Sequence, residues 1–160
     1  MKRRTFLKTA GTAGFIGSTA PNMLLGAAKD SPNEKLNIGI IGSGGMARTY
    51  LEAFLAVRPI KKVKVYSPNR ENMLRYAQEM QKHHDVEVEP TNSAQEAVRG
   101  VDIVSCCTSA IESVFFREWL EPGMHVTNLG GFELDAEVGK RADVTIRTSI
   151  LEARHLTGDE

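Results

Sequence analysis

One short run of this sequence has residue types and spacing suited to holding a phosphate. It is Gly42-Ser43-Gly44-Gly45-Met46-Ala47. Gly42 permits a tight turn. Gly44 has no side chain, so a charged group can approach the backbone there. Ala47 is small enough to let a helix pack closely on a strand, taking the place of a third glycine. A helix starting at this point presents unpaired N–H groups and a partial positive charge, which together bind a diphosphate. Alone, Gly-x-Gly-x-x-Ala is a weak signal. It gains meaning only between a strand and a helix.

Both flanking elements are predicted. Residues 36–41 form an apolar run broken only by Asn37 and Gly39, as suits a parallel strand buried on both faces. Met46, Ala47, Tyr50, Leu51, Phe54 and Leu55 then recur at helical spacing. Further strands are expected over 63–66, 86–88, 103–107, 124–129 and 144–146. Asn69 can cap a helix whose apolar face is Met73, Ala77 and Met80. Ser93-Ala94-Gln95-Glu96 has the form of a capping box, opening a helix that ends near Gly100. Residues 135–141 look helical. Strands alternating with helices predict an α/β, doubly wound parallel sheet of the Rossmann kind, a single domain over 36–148. Residues 149–160 read as the start of another element or a tail.

Composition narrows the classes. The chain has 160 residues, 41% hydrophobic and 25% charged, which suits one globular domain. Its 20 basic and 20 acidic residues balance, but Lys2, Arg3, Arg4 and Lys8 fall in the first 28, where there is no acid. The remainder is net acidic, which argues against a nucleic-acid partner. The two cysteines, Cys106 and Cys107, are adjacent. Neighbours on a strand point to opposite faces, so they are read as two buried thiols rather than a disulfide. No metal-ligand spacing is present. His83-His84 reads as a solvated helix end.

A diphosphate site on this fold implies a dinucleotide. The end of the second strand usually decides between NAD and NADP, because an acid there bonds the ribose hydroxyls and repels a 2′-phosphate. From Val57 to Asn69 there is no Asp or Glu. Ser67 and Asn69 can instead hydrogen-bond a phosphate, and Arg70 can pair with it. The expected cofactor is NADP, with NAD as the alternative.

The start of the chain reads as an address. Lys2-Arg3-Arg4-Thr5-Phe6-Leu7-Lys8 resembles a bacterial twin-arginine signal, followed by a weakly apolar stretch over 9–28. Gly26-Ala27-Ala28 offers small residues for cleavage, and 29–35 would be a linker. Such a signal implies the twin-arginine translocase as a partner. It implies a periplasmic or secreted location, or a membrane anchor if uncleaved. That pathway carries folded proteins, often with a cofactor already bound.

Beyond the glycine turn, several stretches resemble the ornithine cyclodeaminase/mu-crystallin family. They are residues 47–53, the strand and turn Val63-Lys64-Val65-Tyr66-Ser67-Pro68, and the crossover over 93–104. Glu118-Trp119-Leu120-Glu121-Pro122-Gly123-Met124-His125-Val126 is the most telling, with Glu133-Leu134-Asp135 and Arg141-Ala142-Asp143-Val144 completing the likeness. The resemblance implies a two-domain, usually dimeric protein. Its chemistry would be hydride transfer between a nicotinamide and the carbon of an amino or imino acid. Carried over by position, residues 42–47 would hold the pyrophosphate, and Ser67, Asn69 and Arg70 would meet the adenosine ribose. Thr108, Ser109, Leu129 and Gly130 would lie near the nicotinamide and its ribose.

The sequence also departs from that family. Members are about twice this length, and the lysine and arginine that grip the substrate carboxylate come from a segment that the export signal replaces here. The family tends to carry an aspartate with Pro-Gly-Lys after the fifth strand. Here Gly130-Gly131 passes straight to Phe132-Glu133-Leu134-Asp135, and Asp135 reads as a helix cap. No catalytic residue is assigned. Two alternatives stand beside the enzyme: a non-catalytic NADP-binding module, or a truncated inactive product. A further one is an exported sugar oxidoreductase of the glucose-fructose oxidoreductase type. That family usually shows Glu-Lys-Pro where this chain has Leu129-Gly130-Gly131.

Overall fold

The computed structural model describes residues 35–146. The expected signal over 1–28, most of the linker, and the tail over 149–160 lie outside them. Five strands form one sheet: β1 (Leu36–Ile41), β2 (Ile60–Tyr66), β3 (Glu87–Pro90), β4 (Ile103–Cys106) and β5 (His125–Asn128). Among the described residues four α-helices accompany them: α1 (Gly45–Val57), α2 (Arg70–His83), α3 (Ala94–Val98) and α4 (Ala136–Arg141). A 3₁₀ turn spans Arg117–Trp119.

The strand order is β3-β2-β1-β4-β5, and every pair is parallel. The first strand is therefore central, and the winding reverses between β1 and β4. In open parallel sheets the crevice at such a reversal, outside the carboxyl ends of the strands, is where ligands bind.

Side-chain alternation divides the core into two layers. Ile38, Ile40, Val63 and Val65 pack against Ala47 and Leu51 of α1 and against Met73, Tyr76 and Met80 of α2. Ile41, Val104 and Cys106 pack on the other side with Ala97 and Val98 of α3, Phe115 and Val138 of α4. Helices thus cover both faces, as expected for a doubly wound sheet. Cys107 joins the first layer and Cys106 the second, so the two buried thiols do diverge. Leu51 is wholly buried, so truncating it to alanine would cost about 2–5 kcal/mol.

The helix starts follow local sequence. Asn69 Oδ1 accepts from Asn72 N at 2.9 Å. Ser93 Oγ accepts from Glu96 N at 3.1 Å, and Glu96 reaches back to Asn92 N at 2.9 Å, one residue before the cap. Asp135 Oδ1 accepts from Glu137 N at 2.9 Å, so Asp135 is a cap as expected. Each such cap stabilises by about 1 kcal/mol.

Two expectations about strands are corrected. β2 starts at Ile60 rather than Val63. Lys61 and Lys62 hid its beginning, because cross-strand neighbours supply the partners a lysine needs: Lys62 Nζ lies 2.9 Å from Glu87 and 2.6 Å from Glu89. The sixth strand expected over 144–146 does not form. Val144 and Ile146 are 75% and 86% exposed. Val-Thr-Ile is β-branched throughout, but strand propensity measures fit to a paired, half-buried surface. Without a ladder, three residues cannot offset the entropy of ordering them.

Candidate dinucleotide site

The glycine turn leaves the carboxyl end of β1 and enters α1. Gly42 has φ +116°, a region that side-chain-bearing residues rarely adopt. Its N–H donates to the Tyr66 carbonyl at 2.8 Å. A Cβ there would lie 2.3 Å from the Cys107 carbonyl oxygen. Gly42 is therefore wedged between the ends of β2 and β4. This chain needs it whether or not a ligand binds.

Gly44 and Gly45 are different. A Cβ on either would meet nothing within 4 Å, and neither has a positive φ. Nothing in the described chain requires glycine at these places, and both are exposed. Their bareness leaves open space at the start of α1. Gly44 caps that helix without a side-chain hydrogen bond, and its first turn contains no acid. The first N–H groups of a helix have no intrahelical acceptor. Ser43 is half-buried beside this opening and Met46 is 47% exposed. Ala47 is buried, and its carbonyl accepts from the Tyr76 hydroxyl at 3.1 Å. Burial pushes the Tyr76 phenol well above its ordinary range, so it stays a neutral donor.

At the end of β2, Ser67 is half-buried, and Asn69 and Arg70 are exposed. Asn69 spends its Oδ1 on the α2 cap, leaving its amide nitrogen for any ligand. Arg70 is the first residue of α2, so its guanidinium starts from the same sheet edge as the turn.

The ends of β4 and β5 meet around a residue to which sequence reasoning assigned no role. Glu133 is wholly buried. Its Oε1 accepts from Thr108 N at 2.5 Å and Thr108 Oγ1 at 2.8 Å. Its Oε2 accepts from Leu129 N at 2.8 Å and Gly130 N at 2.7 Å. Three of the four residues expected near the nicotinamide are thus gathered on one carboxylate. Ser109, the fourth, is exposed beside them. Glu133-Leu134-Asp135 belongs to the family likeness, but no role followed from it, because an acid just past a Gly-Gly turn is also what an ordinary surface loop looks like.

Below this edge a short polar chain crosses the sheet. Thr127 Oγ1 donates to Ser105 Oγ at 3.2 Å, and Ser105 Oγ lies 3.3 Å from Cys107 Sγ. Burial pushes both cysteine thiols up, so neither is an activated nucleophile. Among the described residues no three His, Cys, Asp or Glu side chains cluster to hold a metal, and no helix is long and apolar enough to cross a membrane. A surface hollow lined by Lys35, Ile60, Gln81, His84 and Glu87 lies where β2 and β3 begin, at the edge opposite the glycine turn.

Parallel strands wound in both directions, with a bare helix start at the reversal, define the class: a Rossmann domain of the nucleotide-binding type. The ornithine cyclodeaminase/mu-crystallin family matches residues 27–159, and the chain belongs to that family. The ketimine reductase mu-crystallin of Rattus norvegicus is 36% identical over 108 residues, covering 64% of this chain and 33% of its own. A Delta(1)-pyrroline-2-carboxylate reductase of Bacillus cereus is 34% identical over 125 residues, covering 75% and 38%. The Delta(1)-pyrroline-2-carboxylate reductase of Thermococcus litoralis, solved with NADH and L-proline, superposes with a TM-score of 0.65 at 35% identity. It covers 70% of this chain and 36% of that one. The chain thus spans less than half the length of these relatives. The match sets aside the sugar-oxidoreductase alternative.

Proposed function

We propose that this domain binds a nicotinamide dinucleotide and forms the cofactor half of an oxidoreductase acting on an amino or imino acid. The observation that carries the reading is the open space beside Gly44 and Gly45 at the start of α1, where no side chain caps the helix. The diphosphate would lie there against backbone N–H groups. When bound, the nicotinamide supplies or accepts the hydride. The chain's own residues bind and orient it: Ser67 and Arg70 meet the adenosine ribose, and the ends of β4 and β5 meet the other half. The relatives named as reductases of ketimines and of pyrroline-2-carboxylate support a cyclic or open imino acid as the partner substrate.

NADP is the preferred cofactor in this reading. Support comes from Arg70 and Ser67 standing where an acid would reject a 2′-phosphate. A second reading, binding without turnover, has its own observation. Glu133 is buried with both oxygens occupied, and Asp135 is spent on a helix cap. Neither is placed to exchange a proton with a substrate. Turnover would then need groups from outside residues 35–146, including those of a second copy if the protein is a homodimer.

Titration calorimetry of the full chain with NADPH and NADH tests the binding. Absorbance of the reduced nicotinamide with a cyclic imino acid tests the turnover. Binding without consumption selects the second reading, and no binding of either nucleotide overturns both. We further propose export in folded form by the twin-arginine route, on the strength of residues 2–8. Replacing Arg3 and Arg4 together by lysine would then leave the protein in the cytoplasm of a bacterial host.

A further inference from the structure

Glu133 does more than fill a loop. Each carboxylate oxygen serves one strand end: Oε1 takes both donors of Thr108 after β4, and Oε2 takes the N–H groups of Leu129 and Gly130 after β5. The residue's own carbonyl accepts from Val114 N at 2.8 Å and Phe115 N at 3.1 Å, and its N–H donates to Gly130 O at 3.3 Å. One residue therefore ties together the segment after β4, the turn after β5 and the segment leading to the 3₁₀ helix. A Cβ on Gly130 would lie 3.3 Å from Glu133 Cγ, so the Gly130-Gly131 turn closes tightly over the side chain. A wholly buried carboxylate is costly unless hydrogen-bonded on every side. This one is, and it brings together strand ends rather than satisfying its own loop.

We infer that Glu133 is the positioning residue for the inner half of the dinucleotide groove. It sets the distance between the ends of β4 and β5 and so places the surface on which the nicotinamide half rests. The inference depends on the proposed dinucleotide binding. It concerns only the half of the groove away from the glycine turn and Arg70. Positioning residues of this kind work by removing the freedom of the groups they hold. Glu133 also spends the N–H donors of Thr108, Leu129 and Gly130, so these amides hold the edge in shape instead of contacting the ligand.

Glu133→Gln turns one acceptor into a donor, which faces two N–H donors on the Oε2 side, or the Thr108 N–H and a hydroxyl that can turn to accept on the Oε1 side. The test compares each dinucleotide with the fragment lacking only its nicotinamide: NADPH with 2′-phospho-ADP-ribose, and NADH with ADP-ribose. The full chain is titrated with all four. Glu133→Gln should weaken the dinucleotide by about tenfold and its fragment by less than about twofold, since the loss falls on one side of the groove. Thr108→Val removes the hydroxyl, which donates to Glu133 and accepts from Ala110 N, and keeps the Thr108 N–H bond to Glu133, so it should shift affinities the same way by a smaller factor. Circular dichroism checks that each variant is folded. If Glu133→Gln does not fold, Thr108→Val decides alone. Equal weakening of dinucleotide and fragment, or no weakening of either, overturns the positioning role while leaving dinucleotide binding intact. Failure of the unaltered chain to bind any of the four overturns the binding proposal, and this inference with it.

Discussion

The backbone of Gly42 runs so close to Cys107 that a Cβ would sit 2.3 Å from the Cys107 carbonyl oxygen. Two residues further on, at Gly44, a Cβ would meet nothing within 4 Å. The two glycines therefore answer to different demands. One is needed by the fold, the other is open to a ligand.

Gly42→Ala should destabilise the protein by more than about 2 kcal/mol, because strain at positive φ adds to a backbone clash. Gly44→Ala should shift stability by less than about 1 kcal/mol in urea, because alanine is a poorer helix cap than glycine but removes freedom from the unfolded chain at a φ it can adopt. It should nonetheless weaken dinucleotide binding by at least about tenfold, because the methyl group takes the space of the diphosphate. Denaturant unfolding and calorimetry on the same two variants separate the effects. A Gly44→Ala protein that binds as tightly as the original would remove the central support for the nucleotide site.

Arg70→Ala should discriminate between cofactors. Loss of a charge-assisted contact to a 2′-phosphate predicts NADPH affinity down by about tenfold or more, with NADH changed by less than about twofold. Equal losses for both would mean that Arg70 is only an exposed helix residue.

The lysine on β2 predicts a small pH dependence. Lys62, hydrogen-bonded by Glu89 and Glu87, has its ammonium pushed above the ordinary lysine value, and Glu89 is held below the usual carboxylate range chiefly by that same bond. A carboxylate held low in the folded state stabilises above its unfolded value, and that contribution is lost as pH falls through the folded value. Stability from the pair is thus present at neutral pH and fades in acid. The opposite loss occurs at high pH, as Lys62 is deprotonated through its raised value. These side chains are partly exposed, 31% for Lys62 and 46% for Glu89, so solvent screening keeps the effect below about 1 kcal/mol. Lys62→Met should flatten the acid limb of the stability profile and return the Glu89 titration, followed by nuclear magnetic resonance, toward the ordinary carboxylate value.

Cys106 and Cys107 should resist a thiol reagent at mildly alkaline pH in the folded protein, since both are buried with raised thiols. Both should react once urea unfolds the chain. Rapid labelling before unfolding would show that the end of β4 opens locally.

Much of the architecture was legible in local pattern. The apolar run over 36–41, the helical spacing from Ala47 to Leu55, and the caps at Asn69, Ser93 and Asp135 all depend on neighbours a few residues away. Periodicity and capping chemistry act at that range. The glycine turn was legible for the same reason, as one contiguous stretch between a strand and a helix. Thr108 and Leu129 were placed near one another by resemblance rather than by any residue pattern.

What the sequence settled by itself was a parallel sheet with helices on both faces and a bare glycine turn at its carboxyl edge. Those follow from side-chain size and hydropathy read along the chain. Only the tertiary structure decided that β2 reaches back to Ile60, that residues 144–146 find no strand to pair with, and that Gly42 is held by Cys107. It alone placed Glu133 beneath two strand ends. A ladder partner or a buried carboxylate's donors lie far away in sequence, and no local spacing encodes the fold that brings them within hydrogen-bonding distance.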